Sequence, residues 1–515
     1  MRITKLWRFF KSKEMKQIKS ILYFLAITLL WSCNKDDGKI DFTFLQLNDV
    51  YEIAPIQGGK FGGMARVETV HKDLLKENPN TMLVLAGDFL NPSLLGTIKV
   101  DGERLRGKQM VEVMNAMNFD LVAFGNHEFD ISEKDLQKRL NESKFDWISA
   151  NVKQKNKNGS NLFYKEIDGV KYPTKETFIK EFTDADGTKI KIGFISVCVP
   201  SNPKPFVEYG SELIKAKTSY NSIKDKVDLV IGLTHVTKST DIKIAKMIPE
   251  IPLIMGGHEH TNMSIPVGNS KVTKADANAK TVYIHRISFD KKTKKTVIKS
   301  ELKVINDKVT TDKKVGGIVS KWQQILNTKI KEIISNPTEV IYTAETPLDA
   351  RDTPIRSVQT NMGDLITKSM SFAYDNAVDC ALVNGGSIRI DDLLEGDINA
   401  VDIFRVLPYG GAILKVELKG SLLKKVLDYG LKAAGTGAYL QRYNVKKVEG
   451  KWLIKNTPIN INKTYIVAFS DYLLRGFDIP FLSEKNSEVL SIYIPKQEEI
   501  SSDIRKAVIK FLKKI

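Results

Sequence analysis

Residues 121–130 read Leu-Val-Ala-Phe-Gly-Asn-His-Glu-Phe-Asp, four apolar residues that run directly into a turn carrying Asn126, His127, Glu128 and Asp130. A short apolar run bounded by glycine has the character of a buried strand. The side chains that follow it are of the kinds that bind metals and move protons. The pattern recurs at four other places before residue 262. Phe42–Leu47 leads into Asn48-Asp49-Val50-Tyr51, and Met82–Leu85 into Gly87-Asp88. Leu229–Leu233 leads into Thr234-His235, and Ile251–Met255 into Gly256-Gly257-His258-Glu259-His260. Helical patterns alternate with these strands, which predicts an α/β layered fold. In open α/β sheets the ligand site lies beyond the carboxyl ends of the strands, so the five polar ends are expected to converge.

Histidine usage points the same way. The chain has six, and His127, His235, His258 and His260 all stand in these strand-end motifs. A lone histidine is ordinarily a satisfied core residue; four of them beside Asp49, Asp88 and Asn126 indicate a site. Imidazole nitrogens mixed with carboxylate and amide oxygens, without thiolates, suit Zn, Mn, Fe or Co in an open site. Asp88 is the natural bridge, because one carboxylate offers two oxygens to two cations. Such a pair activates a water and stabilises both oxygens of an in-line phosphoryl displacement. His127 precedes an acid by three residues and is read as an acid beside the metals, its imidazole oriented by Asp130.

The whole chain has 515 residues, 42% hydrophobic and 27% charged, which excludes a wholly disordered or fibrous protein. The one run of membrane character, Ile21–Trp31, has eleven residues, against the ~20 that a spanning helix needs. Residues 1–32 hold seven Lys/Arg and one acid, then that apolar run, then Cys33. This arrangement resembles a bacterial lipoprotein signal, with Cys33 lipidated and a short tether over 33–39. The expected product is exported and membrane-anchored through the lipid. Without residues 1–32 the chain has 71 basic and 60 acidic residues, a formal +11, which suits anionic ligands or an anionic lipid surface. No zinc-finger spacing, RNP-like strand or dense basic block points to a nucleic-acid polymer. Cys198 and Cys380 lie in apolar runs and read as buried small hydrophobes.

Two domains are expected, 40–305 and 346–515, joined by a helical linker over 306–345. The linker's Val315–Ile334 segment carries Val319, Trp322, Ile325 and Ile330 at helical spacing. The terminal segment Ile504–Leu512 is amphipathic and predicts a docking helix.

The ordered set of motifs is similar to that of calcineurin-like metallophosphoesterases, and the whole chain resembles the 5'-nucleotidase family. That resemblance implies an N-terminal four-layer α/β/β/α sandwich and a C-terminal α/β substrate-binding domain. It also implies two divalent metal ions, Zn, Mn, Co or Mg. One would be held by Asp49, Asp88 and His260, the other by Asp88, Asn126, His235 and His258. His127 with Asp130 matches the family's catalytic dyad. The family's first motif reads Asp-x-His, whereas here Tyr51 stands at the third position. Either Tyr51 ligates as a phenolate, or the first site is one ligand short.

In the second domain, Arg356 and the run Asn384-Gly385-Gly386-Ser387-Ile388-Arg389 offer fork donors and a tight turn. The resemblance implies that the arginines hold the phosphate or ribose side of a nucleotide and that Asn384 contacts the base. Two rings would sandwich the base, Tyr439 on one side and Phe477 or Phe481 on the other, with Asp478 binding ribose hydroxyls. Family members rotate one domain against the other, which places the expected hinge at the linker helix. The function implied is an exported phosphohydrolase releasing phosphate from nucleotides by attack of metal-activated water. A 2',3'-cyclic-nucleotide phosphodiesterase or UDP-sugar hydrolase would use the same motifs. A surface protein that binds nucleotides without turnover would have no need of the dyad.

Overall fold

The structure, a computed structural model, describes residues 37–157, 159–201 and 204–515. The signal-like segment 1–32 and Cys33 lie outside the described residues.

Two six-stranded mixed sheets form the centre of the N-terminal domain. The first runs in the order Lys295–Val304, Thr281–Asp290, Lys39–Leu47, Thr81–Leu85, Leu121–Ala123, Asp146–Ile148, its last four strands mutually parallel. The second runs Thr177–Thr183, Lys189–Ile195, Leu229–Thr234, Leu253–Gly256, Ser270–Lys274, Met263–Val267. Strand alternation decides what each face packs against. Phe42, Phe44, Met82 and Val84 face inward and meet Ile192, Phe194, Ile231 and Leu233 of the other sheet. Leu45, Leu47, Leu83 and Leu85 point the opposite way, into the core that holds helices Met64–Glu77 and Lys108–Ala116. Ile195, Val230 and Ile254 on the second sheet's outer face pack with Tyr220 and Ile223 of helix Glu212–Ile223 and Ile244 of helix Lys238–Met247. The result is the four-layer α/β/β/α sandwich.

The predicted linker helix is present as Lys313–Lys331, capped by Asp312, whose Oδ1 accepts from the Val315 N–H at 3.0 Å. It is not a free strut. Val315, Val319, Trp322, Leu326 and Ile330 are buried along one stripe, and the helix lies on Met64–Glu77 and Lys108–Ala116.

The C-terminal domain holds a five-stranded sheet in the order Leu440–Tyr443, Cys380–Asn384, Thr464–Ser470, Ile413–Lys419, Val489–Tyr493. The terminal helix Ile504–Leu512 buries Ile504, Ala507, Val508 and Leu512 beside helix Asn361–Phe372, as its amphipathic pattern predicts. Cys198 and Cys380 are buried free thiols. Among the described residues no helix is long and apolar enough to cross a membrane.

Candidate active site

Asp49, Asp88 and His258 follow three strands of the two sheets, and all three adopt left-handed backbone, with φ of 53°, 61° and 83°. Non-glycine residues reach that region at a cost that surrounding structure must over-determine, and such residues cluster at functional sites. Here the loops hold one another. The Asp49 N–H donates to the Gly87 carbonyl at 3.0 Å, and the His258 N–H to Asp49 Oδ2 at 2.9 Å. The His127 N–H donates to Asp88 Oδ1 at 2.7 Å. Two glycines permit this closeness. A Cβ on Gly125 would stand 2.1 Å from Asp88 Oδ1, and one on Gly257 would stand 2.3 Å from the Ala86 carbonyl oxygen.

The ligand-type atoms converge as the strand ends predict. Oxygens of Asp49 and Asp88 and a nitrogen of His235 lie within 4.8 Å of one another. His235 gives Nδ1 to the Ala86 carbonyl at 2.6 Å, which turns Nε2 toward Asp88 Oδ2, 3.1 Å away. His260 Nε2 lies 3.3 Å from Asp49 Oδ1, and its Nδ1 lies 2.7 Å from Asp391 Oδ2. The Tyr51 hydroxyl faces this group, 3.4 Å from both Asp49 and Asp88 and 3.2 Å from His260 Nε2. Burial and the two carboxylates push its phenol well up, so it stands as a donor to them.

These residues fit a divalent cation. The buried Asn126 Oδ1 has no hydrogen-bond partner, the condition of an atom reserved for a ligand. Burial opposes the charges of Asp49 and Asp88, but neighbouring imidazoles outweigh it and hold both carboxyls below the usual range. Burial and His235 push His258 down to about 4, leaving a neutral imidazole that can ligate.

The expected partners His127 and Asp130 are in contact. His127 Nδ1 lies 2.7 Å from Asp130 Oδ2. Burial works against the charged imidazole, yet Asp88 and Asp130 overcome it and raise His127 above its ordinary value. From the second domain, Arg389 Nη2 lies 3.2 Å from Asp130 Oδ2, and Lys204 Nζ of the first lies 3.7 Å from Oδ1.

An interdomain cleft of about 1360 Å³ opens on His127, Asn126 and His258 and is lined on its far side by Arg356, Asn384, Arg389 and Asp478. Asn384 Nδ2 donates to Asp478 Oδ2 at 2.7 Å. Phe477 stands in this cleft, 70% exposed, tilted on Tyr472 at 5.9 Å. The other two expected rings are elsewhere. Tyr439 is 2% exposed and lies under the Arg442 guanidinium. It directly precedes strand Leu440–Tyr443, and its hydroxyl lies 3.4 Å from Arg442 Nη2. Phe481 packs edge-on against Tyr429, 5.6 Å away, within the C-terminal domain. Tyr409 lines the cleft instead and is 49% exposed. Its sequence signal is an aromatic before the Gly410-Gly411 turn.

Two buried groups of the site were given no role in the sequence reading. Glu128 accepts from the N–H groups of Asp88, Phe89, Leu90 and Gly125, at 2.7–3.2 Å, and so ties the Asp88 and Gly125 loops together. Burial and Asp88 push its carboxyl up to about 7 against those four donors. Lys274 donates to the Val236 and Gly257 carbonyls, both at 2.7 Å, beneath the loops of His235 and His258.

The calcineurin-like phosphoesterase family matches residues 42–262, and the 5'-nucleotidase, C-terminal domain, matches residues 340–484. A 5'-nucleotidase of Homo sapiens is 26% identical over 505 residues, spanning 86% of this chain and 84% of that protein. The trifunctional nucleotide phosphoesterase protein YfkN of Bacillus subtilis (strain 168) is 26% identical over 495 residues, 86% of this chain and 32% of the longer protein. In fold, the chain is similar to the crystal structure of a 5'-nucleotidase precursor from Thermus thermophilus. The TM-score is 0.68 at 21% identity, over 92% of this chain and 96% of that one.

Proposed function

A chain that joins a calcineurin-like phosphoesterase domain to a 5'-nucleotidase C-terminal domain belongs to the 5'-nucleotidase family of metal-dependent phosphoester hydrolases, and from that premise we propose that it releases phosphate from nucleotides outside the cytoplasm, tethered through a lipid on Cys33. The observation that carries this reading is the cleft itself. The metal-type ligands and the His127–Asp130 pair open on one side of it, the Asn384–Asp478 pair and exposed rings on the other.

Asp88, Asn126, His235 and His258 would hold one cation. Asp49, Asp88 and His260 would hold the other, with the Tyr51 hydroxyl facing both carboxylates. When bound, such cations lower the pKa of a water and take up charge on phosphoryl oxygens; Zn, Mn, Co and Mg are the candidates. His127, when protonated, donates toward the leaving oxygen, and Asp130, 2.7 Å from its Nδ1, fixes the ring. Arg389 and Arg356 bind phosphate oxygens as planar forks. The base stacks on Phe477 and Tyr409, whose flat faces accept any nucleobase, and Asp478 takes ribose hydroxyls.

The test is phosphate release by the purified protein, stripped of metal and resupplied with Mn, Zn, Co or Mg, on AMP, UMP, UDP-glucose and a 2',3'-cyclic nucleotide (with a phosphatase added for the last two). Metal-dependent turnover of the monophosphates is expected, with kcat falling about 10²–10⁴-fold in His127→Ala. Binding of nucleotides without turnover under any metal would overturn catalysis and leave a capture protein. A second reading, hydrolysis of a larger nucleotide such as a UDP-sugar, draws support from the cleft volume of about 1360 Å³. That exceeds the ~300–1,000 Å³ usual for a small-ligand pocket.

A further inference from the structure

The histidines of the site differ in what orients them. His235 is fixed from inside its own domain, by the Ala86 carbonyl at 2.6 Å. His260 meets Asp391, which belongs to the substrate-binding domain, with 2.7 Å between Nδ1 and Oδ2. The opposite nitrogen of that ring, Nε2, faces Asp49 Oδ1 at 3.3 Å. A carboxylate on one imidazole nitrogen fixes the ring and strengthens the other nitrogen as a ligand.

We propose that Asp391 is a positioning residue for the metal ligand His260, so that one metal site of the N-terminal domain is completed by the C-terminal domain. The proposal rests on the metal-site reading above.

Asp391 is itself held firmly for this role. It has a left-handed φ of 47°, and its Oδ1 accepts the Asp352 N–H at 2.6 Å. Its neighbours reach across the same boundary. Arg389 meets Asp130 at 3.2 Å, and Lys280 Nζ meets Asp392 Oδ1 at 2.9 Å. One short segment of the C-terminal domain, 389–392, thus makes charged contacts with the other domain at the dyad, at a metal ligand and at Lys280. The side chains of Asp391 and His260 are 23% and 16% exposed, which limits screening of their contact by water. One consequence follows by linkage: metal at His260 favours docking of the substrate domain, and docking tightens that metal to the same degree.

The test uses the purified protein, stripped of metal and titrated with Mn²⁺ alone by calorimetry. A parallel titration with Co²⁺ alone is followed by visible absorption, which reports ligand geometry. The unaltered protein is expected to bind two ions. Asp391→Ala weakens one of them about 10–100-fold, changes the Co²⁺ spectrum of that site and leaves the other site as it was. Asp391→Asn, which keeps the side-chain volume, loses less at the same site and carries the test if the alanine variant fails to fold. In a His260→Ala background, Asp391→Ala adds no further loss. Unchanged affinity at both sites in the two Asp391 variants, or losses that add to that of His260→Ala, overturns the proposal alone. Failure of the unaltered protein to bind any divalent ion overturns the functional reading and this proposal with it.

Discussion

His285 lies within strand Thr281–Asp290, fully buried, with Nε2 2.9 Å from Gln46 Oε1 and Nδ1 2.9 Å from Ser300 Oγ. Burial, with Lys271 adding to it, pushes its imidazole down to about 3. In the unfolded chain the same group titrates near its ordinary ~6.5. Below that pH the unfolded state holds one more proton than the folded one. Stability is therefore complete above ~6.5 and falls with acid at about 1.4 kcal/mol per pH unit from this group. Denaturant unfolding at pH 7, 6 and 5 is expected to show a steeper loss in the unaltered protein than in His285→Gln; equal slopes would exclude His285 as the source. The residue scale also shows what local motifs can tell. His285 and His127 are both histidines near polar partners, yet only His127 stands in a strand-end motif, and only His127 opens on the cleft. Tyr409 and Tyr439 have no such motif to separate them. Each is an aromatic close to glycine, and burial alone distinguishes them.

Among the elements, helix Lys313–Lys331 was legible from its apolar spacing as a helix over 315–334, but its packing was not. Spacing identifies a buried stripe without naming the surface that buries it. Trp322 shows the outcome: it is 4% exposed, and its Nε1 donates to Glu112 Oε2 of helix Lys108–Ala116 at 3.0 Å. The helix is thereby packed into the N-terminal core. Trp322→Ala is expected to cost about 3–5 kcal/mol through the cavity left behind. Trp322→Phe, which keeps much of the ring and loses the hydrogen bond, is expected to cost about 1 kcal/mol beyond its lost volume. Chemical denaturation of both variants measures the difference. A cost below about 1 kcal/mol for the alanine variant would show that the helix is only loosely docked.

For the molecule as a whole, the carboxylates of Asp49 and Asp88 lie close together and are both buried. Cations bound to the folded state and not to the unfolded chain stabilise it by mass action, about 2.7 kcal/mol at a hundredfold excess over Kd. Thermal unfolding is expected to show a Tm that falls on treatment with a chelator and recovers, in a concentration-dependent way, with Mn²⁺. A Tm indifferent to chelator and metal would mean that no cation of consequence binds there. The cleft adds a feature that exists only at this scale. It brings His127 of one domain to face the Asn384–Asp478 pair and the exposed rings of the other.

The layers and the inner wall of the site are written locally in the chain. Strand alternation is a property of neighbouring residues, and the chemistry-bearing side chains follow within a few positions of a strand end, where chain geometry leaves them little freedom. Packing of distant segments was needed to put Tyr409 in the cleft while covering Tyr439, and to bring Glu128 and Lys274 beneath the loops of Asp88, His235 and His258 as braces. The same packing brought Asp391 to His260. Contacts of that kind join segments far apart in sequence, and they are fixed by how sheets stack and domains dock, which no periodicity of two or 3.6 residues records.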